Sequence, residues 1–297
     1  MASSITKSKD ILVFNIIGYF IITVMAVLSI LPFIMLVSAS FTSEHAIVNY
    51  GYQLFPKEFS VNAYAMLFRF PLDIIRAYEV SIFITVGGTV CGLFIISMTA
   101  YVISRKDFIF RNKLAFYFYF ITLFNGGLVA TYIIMIRYYN LKNNLLSLIL
   151  PYLVNVFYLI VMRSFMSSIP DSLGESAKID GAGDFTIFIR IILPLSKPAL
   201  ATIGLFIALE YWNDWYNSML YITNYKLFPL QYLLYNMLSS QDALSRISSV
   251  SHINVNNLPL QSLKMAMAVI ATGPILLVYP FVQKYFIKGI TVGAVKG

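Results

Sequence analysis

The chain has 297 residues, of which 59% are hydrophobic and only 11% are charged, and its mean hydropathy is +0.77. Soluble domains carry about 25% charged residues, so this composition excludes a soluble domain and indicates an integral membrane protein. The formal charge of +8 comes without any basic run interleaved with exposed aromatic residues, which argues against a nucleic-acid partner. The single cysteine, Cys91, excludes a disulfide framework.

Six apolar segments reach or approach the roughly 20 residues that a membrane-spanning helix requires. They predict an all-α integral membrane protein with one transmembrane domain over residues 1–297. The first apolar run exceeds the ~7–15 residues of a signal-peptide core, and we interpret it as an uncleaved anchor. The expected spans are approximately 11–37, 80–104, 114–136, 145–162, 199–222 and 265–286.

The distribution of lysine and arginine predicts the orientation of these spans. If the N-terminus lies in the cytoplasm, 13 of the 21 Lys and Arg residues fall in the inner segments. Positive residues collect on the cytoplasmic side of membrane proteins, so both termini are expected inside. The segment 172–198, between the fourth and fifth spans, then faces the cytoplasm. The longer segments 45–79 and 223–264 face away from it.

Segment 172–198 is unusually polar for this chain and has the pattern of two short helices. Ser172 and Glu175 fit a capping box, which predicts that a helix begins there. Gly181 and Gly183 predict its end after about two turns. We expect Asp184 to cap the second helix.

The second helix is predicted to be amphipathic. Its apolar residues recur at helical spacing and should share one face. Pro194 is expected to end this helix, and Pro198 suits the first turn of the next one. The expected apolar face consists of Phe185, Phe188, Ile189 and Ile192.

The spacing Glu175, Gly181, Ile191-x-Leu193-Pro194 resembles the EAA loop of ABC-importer permease subunits. Ser176 stands where that loop usually has alanine. The run 179–182, which contains Asp180, is similar to the carbohydrate-importing branch of the maltose-transporter type. Residues 125–128, 212–214 and 285–297 also resemble the second permease of oligosaccharide importers. Among these the chain is most similar to the branch for complex or uronic-acid-containing oligosaccharides.

The resemblance implies that the first short helix docks in a groove of a cytoplasmic ATPase subunit and moves when ATP closes the ATPase dimer. Small residues such as Ala177 would allow close approach, and Gly181 would permit the turn between the two helices. The expected coupling residues are Glu175, Ser176, Ala177, Asp180, Gly181, Ile191, Leu193 and Pro194.

The resemblance also implies the partners. They are a second, homologous permease in a heterodimer, two ATP-binding subunits, an extracytoplasmic solute-binding protein and an oligosaccharide substrate, at the bacterial cytoplasmic membrane. This chain is expected to have no catalytic residue and to bind neither a cofactor nor a metal, with ATP and Mg held by the partner subunits. The sequence agrees, because no Gly-x-x-x-x-Gly-Lys-Ser/Thr phosphate-binding motif occurs in it.

A polar and aromatic run near the end of the fifth span is a candidate for the substrate pathway. Glu210, Asp214 and Asn217 have the i, i+4, i+7 spacing of one helical stripe. An ionised acid at the bilayer centre costs about 2.5–3.5 kcal/mol, so such a group usually faces a partner or an aqueous cavity. Flat aromatic rings and polar groups suit a sugar. The candidate residues are Glu210, Trp212, Asn213, Asp214, Trp215 and, in the third span, Asn125.

Two interpretations of this run stay open. One is contact with the substrate, and the other is packing at the outer interface, where aromatic and polar residues are ordinary. An acidic stripe is also ill suited to an acidic sugar, which indicates either a neutral substrate or recognition by the partner permease and the binding protein. For Asn125, the following pair Gly126 and Gly127 favours a structural role, close helix packing or a bend, over contact with the substrate.

Other functions remain as alternatives. A related permease could carry another solute, such as a polyol phosphate or an amino acid. A secondary transporter would need no ATPase. A membrane enzyme would need an acid/base pair, for which Glu210 and Asp214 are the candidates.

Overall fold

The computed structural model describes residues 9–69, 71–251 and 259–294. Over these ranges the chain is helical and has no strand, as the sequence predicts; an isolated antiparallel bridge joins Thr42 and Phe59. The backbone forms two compact units. The first is formed by the described residues of 1–71 and 237–273, and the second by those of 72–236 and 274–297. The single transmembrane domain expected over 1–297 stays a prediction.

Most of the described chain lies in α-helices, several of them very short. The helices in chain order are α1 (Lys9–Ser40), α2 (Glu44–Tyr50), α3 (Asn62–Leu67), α4 (Pro71–Ser104), α5 (Arg111–Thr122), α6 (Gly127–Ile133), α7 (Leu146–Ile149), α8 (Val156–Met166), α9 (Asp171–Ile179), α10 (Asp184–Ile187), α11 (Leu193–Leu195), α12 (Lys197–Asn213), α13 (Tyr216–Tyr221), α14 (Leu230–Ser251) and α15 (Leu260–Ala294).

The described chain also contains four short π or 3-10 segments, of which three adjoin a helix and Tyr225–Leu227 lies between α13 and α14. The π-helical segment Ile134–Tyr138 continues α6, and Phe188–Ile192 joins α10 to α11 in one helical run. The 3-10 turns are Leu150–Tyr152, which follows α7, and Tyr225–Leu227. A π-helical turn is wider than an α-helical one, so it changes which residues share a face.

Three segments in the described chain are single helices long and apolar enough to cross a membrane: Ile11–Ser40, Pro71–Ser104 and Leu260–Leu277. Three further candidates are broken helix pairs, which raises the total to six if each pair is one span. The pairs are Arg111–Thr122 with Gly127–Tyr138, bent by 110°; Leu146–Tyr152 with Val156–Met166, bent by 52°; and Asp184–Leu195 with Lys197–Asn213, bent by 81°.

The bounds of several helices differ from those of the expected spans, which stay predictions. The second span was expected from residue 80, but α4 begins at Pro71 and includes the charged residues Asp73 and Arg76. The last helix begins at Leu260 instead of 265. The third, fourth and fifth spans are not continuous helices. Hydropathy averages over a window, and it therefore does not detect a short break in backbone hydrogen bonding within an apolar run.

In the first unit, the carboxylate of Glu44 holds the start of α15. Its oxygens accept hydrogen bonds from the backbone N–H groups of Gln261 (2.9 Å) and Ser262 (3.1 Å). The first N–H groups of a helix lack partners within the helix, and a carboxylate there also suits the helix dipole. Glu44 therefore caps a helix that lies more than 200 residues later.

The apolar window of α1 has no buried side chain.

The core of the second unit forms where α4, α8, α12 and the run Asp184–Leu195 pack together. Its fully buried side chains include Ile96, Leu159, Met162, Phe188 and Ile207. Close packing of α4 on α12 depends on Gly88, because a Cβ there would lie 2.4 Å from the ring of Tyr211. The candidate coupling segment is thus attached directly to the core.

Candidate functional site

The first helix of the coupling segment, α9, ends in a Schellman motif. Gly181 has a φ of +82°, in the left-handed region that glycine adopts without strain. The N–H of Gly181 donates to the carbonyl of Lys178 (3.0 Å), and the N–H of Ala182 donates to that of Ala177 (2.9 Å). The glycine turn predicted from the sequence is present, with Gly181 as the terminator.

The two predicted side-chain caps are absent. Helix α9 begins at Asp171 after Pro170, and no side chain caps it, so Ser172 and Glu175 lie inside the helix instead of forming a capping box. Proline needs no N–H partner, and the exposed first turn leaves its N–H groups open to solvent. Asp184 is the first residue of α10, which follows Gly183 without a side-chain cap.

Helix α9 projects from the core with most of its side chains exposed. Glu175, Ser176 and Asp180 are exposed, whereas Ala177 is partly buried against the core. Ile179 is 86% exposed, which is unusual for a large apolar side chain next to charged residues. The exposed surface of α9 formed by Glu175, Ser176, Ile179 and Asp180 is thus polar apart from Ile179.

The second helical run inserts into the core, but on a different face from the predicted one. Ile187 and Phe188 are each 1% exposed and Ile192 is 8% exposed, whereas Phe185 is 62% exposed. The π-helical segment Phe188–Ile192 widens the turn and rotates the apolar face, so Ile187 replaces Phe185.

The end of this run is also displaced from its expected position. Ile191 and Leu193 are partly buried and pack against the core. Pro194 is exposed and lies in the first turn of α11, where its missing N–H costs little. The chain bends by 81° at Ser196, two residues beyond the expected break, and Pro198 lies in the first turn of α12 as predicted.

An ionic network joins the coupling segment to the turn after α4. Arg105 Nε donates to Asp107 (2.8 Å), and Arg105 Nη1 lies 2.6 Å from Asp184 Oδ1. Lys178 Nζ donates to Asp107 Oδ2 (3.0 Å), and Lys106 pairs with Asp171 (2.6 Å). Sequence reasoning missed these partners because Asp107 and Lys178 are 71 positions apart. The only signal was the compact charge of residues 105–107 in an apolar chain.

The candidate substrate-pathway residues do not form the expected helical stripe. Helix α12 ends at Asn213, and Asp214 has an extended backbone. Asp214 is 8% exposed, and its Oδ1 accepts from the N–H of Asn217 (3.1 Å) and from Tyr152 Oη (3.4 Å). Its carboxylate therefore stabilises the start of α13, which favours the packing interpretation for this residue.

Glu210 differs from Asp214 because one oxygen of its carboxylate is buried without a hydrogen-bond partner among the described residues. Tyr158 Oη donates to Glu210 Oε1 at 2.8 Å. The other oxygen, Oε2, is buried and has no hydrogen-bond partner among the described residues. Buried carboxylate oxygens are normally hydrogen-bonded, so this one is the strongest structural indication of a polar ligand in the candidate pathway.

The aromatic candidates separate into buried and exposed residues. Trp212 is 9% exposed and packs against Tyr78, with ring centroids 6.4 Å apart. Trp215 is 38% exposed and stacks on Tyr235 at 4.4 Å. Asn213 is exposed. The structure thus brings Trp212 and Asp214 into the protein interior and leaves Asn213 and Trp215 at its surface.

Asn125 lies in the break between α5 and α6, where the chain bends by 110°. Its Oδ1 accepts from the N–H of Gly127 (2.9 Å), and its side chain is exposed. A Cβ on Gly127 would meet nothing within 4 Å. The glycine pair therefore lies at a bend, which is one of the two structural roles expected for it. Within the described chain no group of three His, Cys, Asp or Glu residues could hold a metal.

The family described as "Binding-protein-dependent transport system inner membrane component" matches residues 92–292, which include the coupling segment and the candidate pathway. The chain belongs to this family. Its members are inner-membrane components of transport systems, so the chain is a membrane transport subunit and not an enzyme.

Two Bacillus subtilis (strain 168) relatives in this family are similar over nearly their whole length. The polygalacturonan/rhamnogalacturonan transport system permease protein YtcP is 41% identical over 289 residues, covering 96% of this chain and 98% of the relative. Protein LplC is 39% identical over 287 residues, covering 96% of this chain and 95% of the relative.

A solved structure is also similar. It is a chain in the crystal structure of a bacterial ABC transporter involved in the import of the acidic polysaccharide alginate. That chain is 28% identical, with a TM-score of 0.80, and the match covers 94% of this chain and 98% of the other. The resemblance to ABC-importer permeases inferred from the coupling segment is confirmed.

Proposed function

We propose that this chain is one of two permease subunits of an ATP-driven importer for oligosaccharides derived from acidic polysaccharides. The observation that carries the proposal is the coupling segment: an exposed helix, a Schellman turn at Gly181 and a helical run inserted in the core. Similarity to permeases named for polygalacturonan/rhamnogalacturonan transport and for alginate import supports the substrate class. Each broken helix pair would count as one span, giving six.

The proposed assembly follows from what this chain lacks and what it exposes. Its sequence has no phosphate-binding motif, so ATP and Mg would bind to two ATPase subunits, docked on the α9 surface formed by Glu175, Ser176, Ile179 and Asp180. A second, homologous permease would complete the pathway, and an extracytoplasmic binding protein would deliver the solute. ATP binding and hydrolysis would then shift the permease pair between inward and outward openings.

We propose that both termini and the coupling segment face the cytoplasm. The lysine and arginine bias supports this orientation. Ile109, in the turn between α4 and α5, is 87% exposed and should lie on the same side. A cysteine there, in a Cys91→Ser background, should react with a membrane-impermeant thiol reagent in lysed cells only. Labelling in intact cells would contradict the orientation.

Uptake tests the function and its alternatives. The chain, its partner permease, the ATPase subunits and the binding protein would be reconstituted in vesicles. We expect ATP-dependent uptake of oligogalacturonate and little uptake of a neutral maltooligosaccharide. Uptake of a polyol phosphate or an amino acid in place of the oligosaccharide would identify the within-class alternative. Uptake without ATPase subunits would indicate a secondary transporter.

Glu210 offers a test of the proposed pathway. If its buried Oε2 accepts a sugar hydroxyl, Glu210→Gln should raise the half-saturating solute concentration about ten-fold, because a charged hydrogen bond contributes roughly 1.5–3 kcal/mol. The maximal rate of ATP hydrolysis without solute should not change. The measurement is the concentration dependence of oligogalacturonate uptake.

Asp214→Asn is the matched control for Glu210→Gln. Its carboxylate is already used by Asn217 and Tyr152 within the chain, so this variant should reduce stability and not the apparent affinity. An unchanged half-saturating concentration in Glu210→Gln would place Glu210 outside the pathway and leave it a packing residue.

A further inference from the structure

The turn after α4 contacts both helical elements of the coupling segment through charged side chains. Asp107 accepts from Arg105 and from Lys178 of α9, while Arg105 also pairs with Asp184 at the start of α10. Lys178 Nζ lies 3.7 Å from Asp184 Oδ1, which closes the ring of four charges. The glycine turn thus has α9 and α10 on either side, and one cluster holds both.

A second contact lies beneath this ring and is apolar. Tyr101, one turn before Arg105 on α4, stacks on Phe188 with ring centroids 5.5 Å apart and an interplanar angle of 27°. Phe94 meets the edge of the same ring at 6.4 Å. The guanidinium of Arg105 lies 5.7 Å from the ring centroid of Tyr101. The end of α4 is therefore joined to the coupling segment by aromatic packing and by charge together.

The charges are better suited to holding position than to stabilising the fold. The side chains of Asp107, Lys178 and Asp184 are 53%, 45% and 58% exposed, and exposed ion pairs contribute only about 0–1 kcal/mol each. Arg105 is the exception, at 20% exposed, and it donates to two carboxylates. A planar guanidinium shared between two acids fixes their relative orientation. Hydrogen bonds from Arg105 and then Lys178 hold the pKa of Asp107 below its ordinary value, so its carboxylate is ionised at neutral pH.

We propose that Arg105 and Asp107 are positioning residues for coupling: they clamp α9 and α10 to the end of α4, so that ATP-driven motion enters the core through α4 as well as through α12. This inference rests on the proposed function of the coupling segment. It assigns a role to a turn that lies outside the loop in which the coupling residues were expected. Loss of the clamp should loosen α9 relative to α4 without preventing ATPase subunits from docking.

The test measures the distance between α9 and the turn after α4 in the assembled transporter. Spin labels at Ile109 and Ser172, both exposed, would be introduced in a Cys91→Ser background. In the unsubstituted chain the distribution of interspin distances should be narrow, and its mean should not change when Mg-ATP is added. In Asp107→Asn the distribution of interspin distances should become about two-fold broader, and its mean should shift when Mg-ATP is added. We expect this because α9 would be less stably held against the turn after α4.

Matched variants separate charge from shape and from global effects. Asp107→Glu keeps the charge and should restore the narrow distribution. Asp73→Asn removes a similarly exposed carboxylate, 49% against 53%, from a pair at the other end of α4, and should have no effect. Raising the salt concentration to about 1 M, where the screening length is ~3 Å, should broaden the distribution in the unsubstituted chain as well.

A distribution in Asp107→Asn as narrow as in the unsubstituted chain overturns the clamp, and so does equal broadening in Asp107→Glu. Co-purification of the ATPase subunits, measured on the same samples, tests the proposed function separately. If Gly181→Val retains the ATPase subunits in full, docking on α9 is wrong; if it loses them and Asp107→Asn stays narrow, only the clamp is wrong.

Discussion

Gly181→Val should abolish the association of this chain with its ATPase subunits and therefore ATP-driven uptake. Gly181 has a φ of +82°, and a β-branched residue there is a conformational outlier that costs at least about 1–2 kcal/mol. Relief of that strain would break the two hydrogen bonds of the Schellman turn and re-aim α9. A Cβ at this position meets nothing within 4 Å, so the effect comes from the backbone and not from a clash within the chain.

Gly181→Asn is the matched control, because asparagine tolerates the left-handed region. It should retain most of the ATPase association, measured by co-purification from membranes, whereas the valine variant should lose it. Equal loss in both variants would mean that the added side chain blocks the partner surface instead of straining the turn. Full association of the valine variant would contradict the docking role of α9.

Gly88→Ala should destabilise the second unit even though it adds a single methyl group. The new Cβ would lie 2.4–2.8 Å from three ring atoms of Tyr211. That ring cannot move aside easily, because Tyr211 is 3% exposed and its Oη donates to the carbonyl of Ile149 at 2.8 Å. Overpacking of this kind costs about 1–3 kcal/mol. We expect the apparent Tm of the purified complex to fall by roughly 2–10 °C.

The neighbouring Gly87 provides the control for this substitution. A Cβ there meets nothing within 4 Å, so Gly87→Ala should leave the apparent Tm unchanged or raise it slightly through its higher helix propensity. If both alanine variants behave alike, the close approach of α4 to α12 is not the cause.

The coupling segment was readable from sequence because its determinants are local. Glycine at a helix end, proline in a first turn and apolar residues at helical spacing each act within a few residues. The same local rules gave the wrong result where the sequence allowed two local structures, at the start of α9 and on the buried face of the second helical run. Pro170 could begin α9 without the capping box of Ser172 and Glu175. An α-helical period placed Phe185 on the buried apolar face, but the π-helical segment Phe188–Ile192 rotates that face and Ile187 is buried instead.

The candidate pathway was less readable, because its arrangement depends on distant parts of the chain. The i, i+4, i+7 pattern assumed that α12 continues through Asp214, whereas the helix ends at Asn213. Glu210 was singled out by its charge in an apolar run. One of its oxygens accepts a hydrogen bond from Tyr158 in α8, which lies 52 positions earlier in the sequence. The other oxygen has no hydrogen-bond partner among the described residues. Neither fact can be read from the residues around Glu210.

Composition and local pattern by themselves determined that this is a helical membrane protein with a polar helix–glycine–helix segment, because hydropathy and backbone preference act residue by residue. Only the tertiary structure decided which charges that segment meets. Lys178 Nζ lies 3.0 Å from Asp107 Oδ2, although the two residues are 71 positions apart in the sequence. Such a pair leaves no periodic signal in the chain, since it is created by the packing of α4 against the helices of the coupling segment.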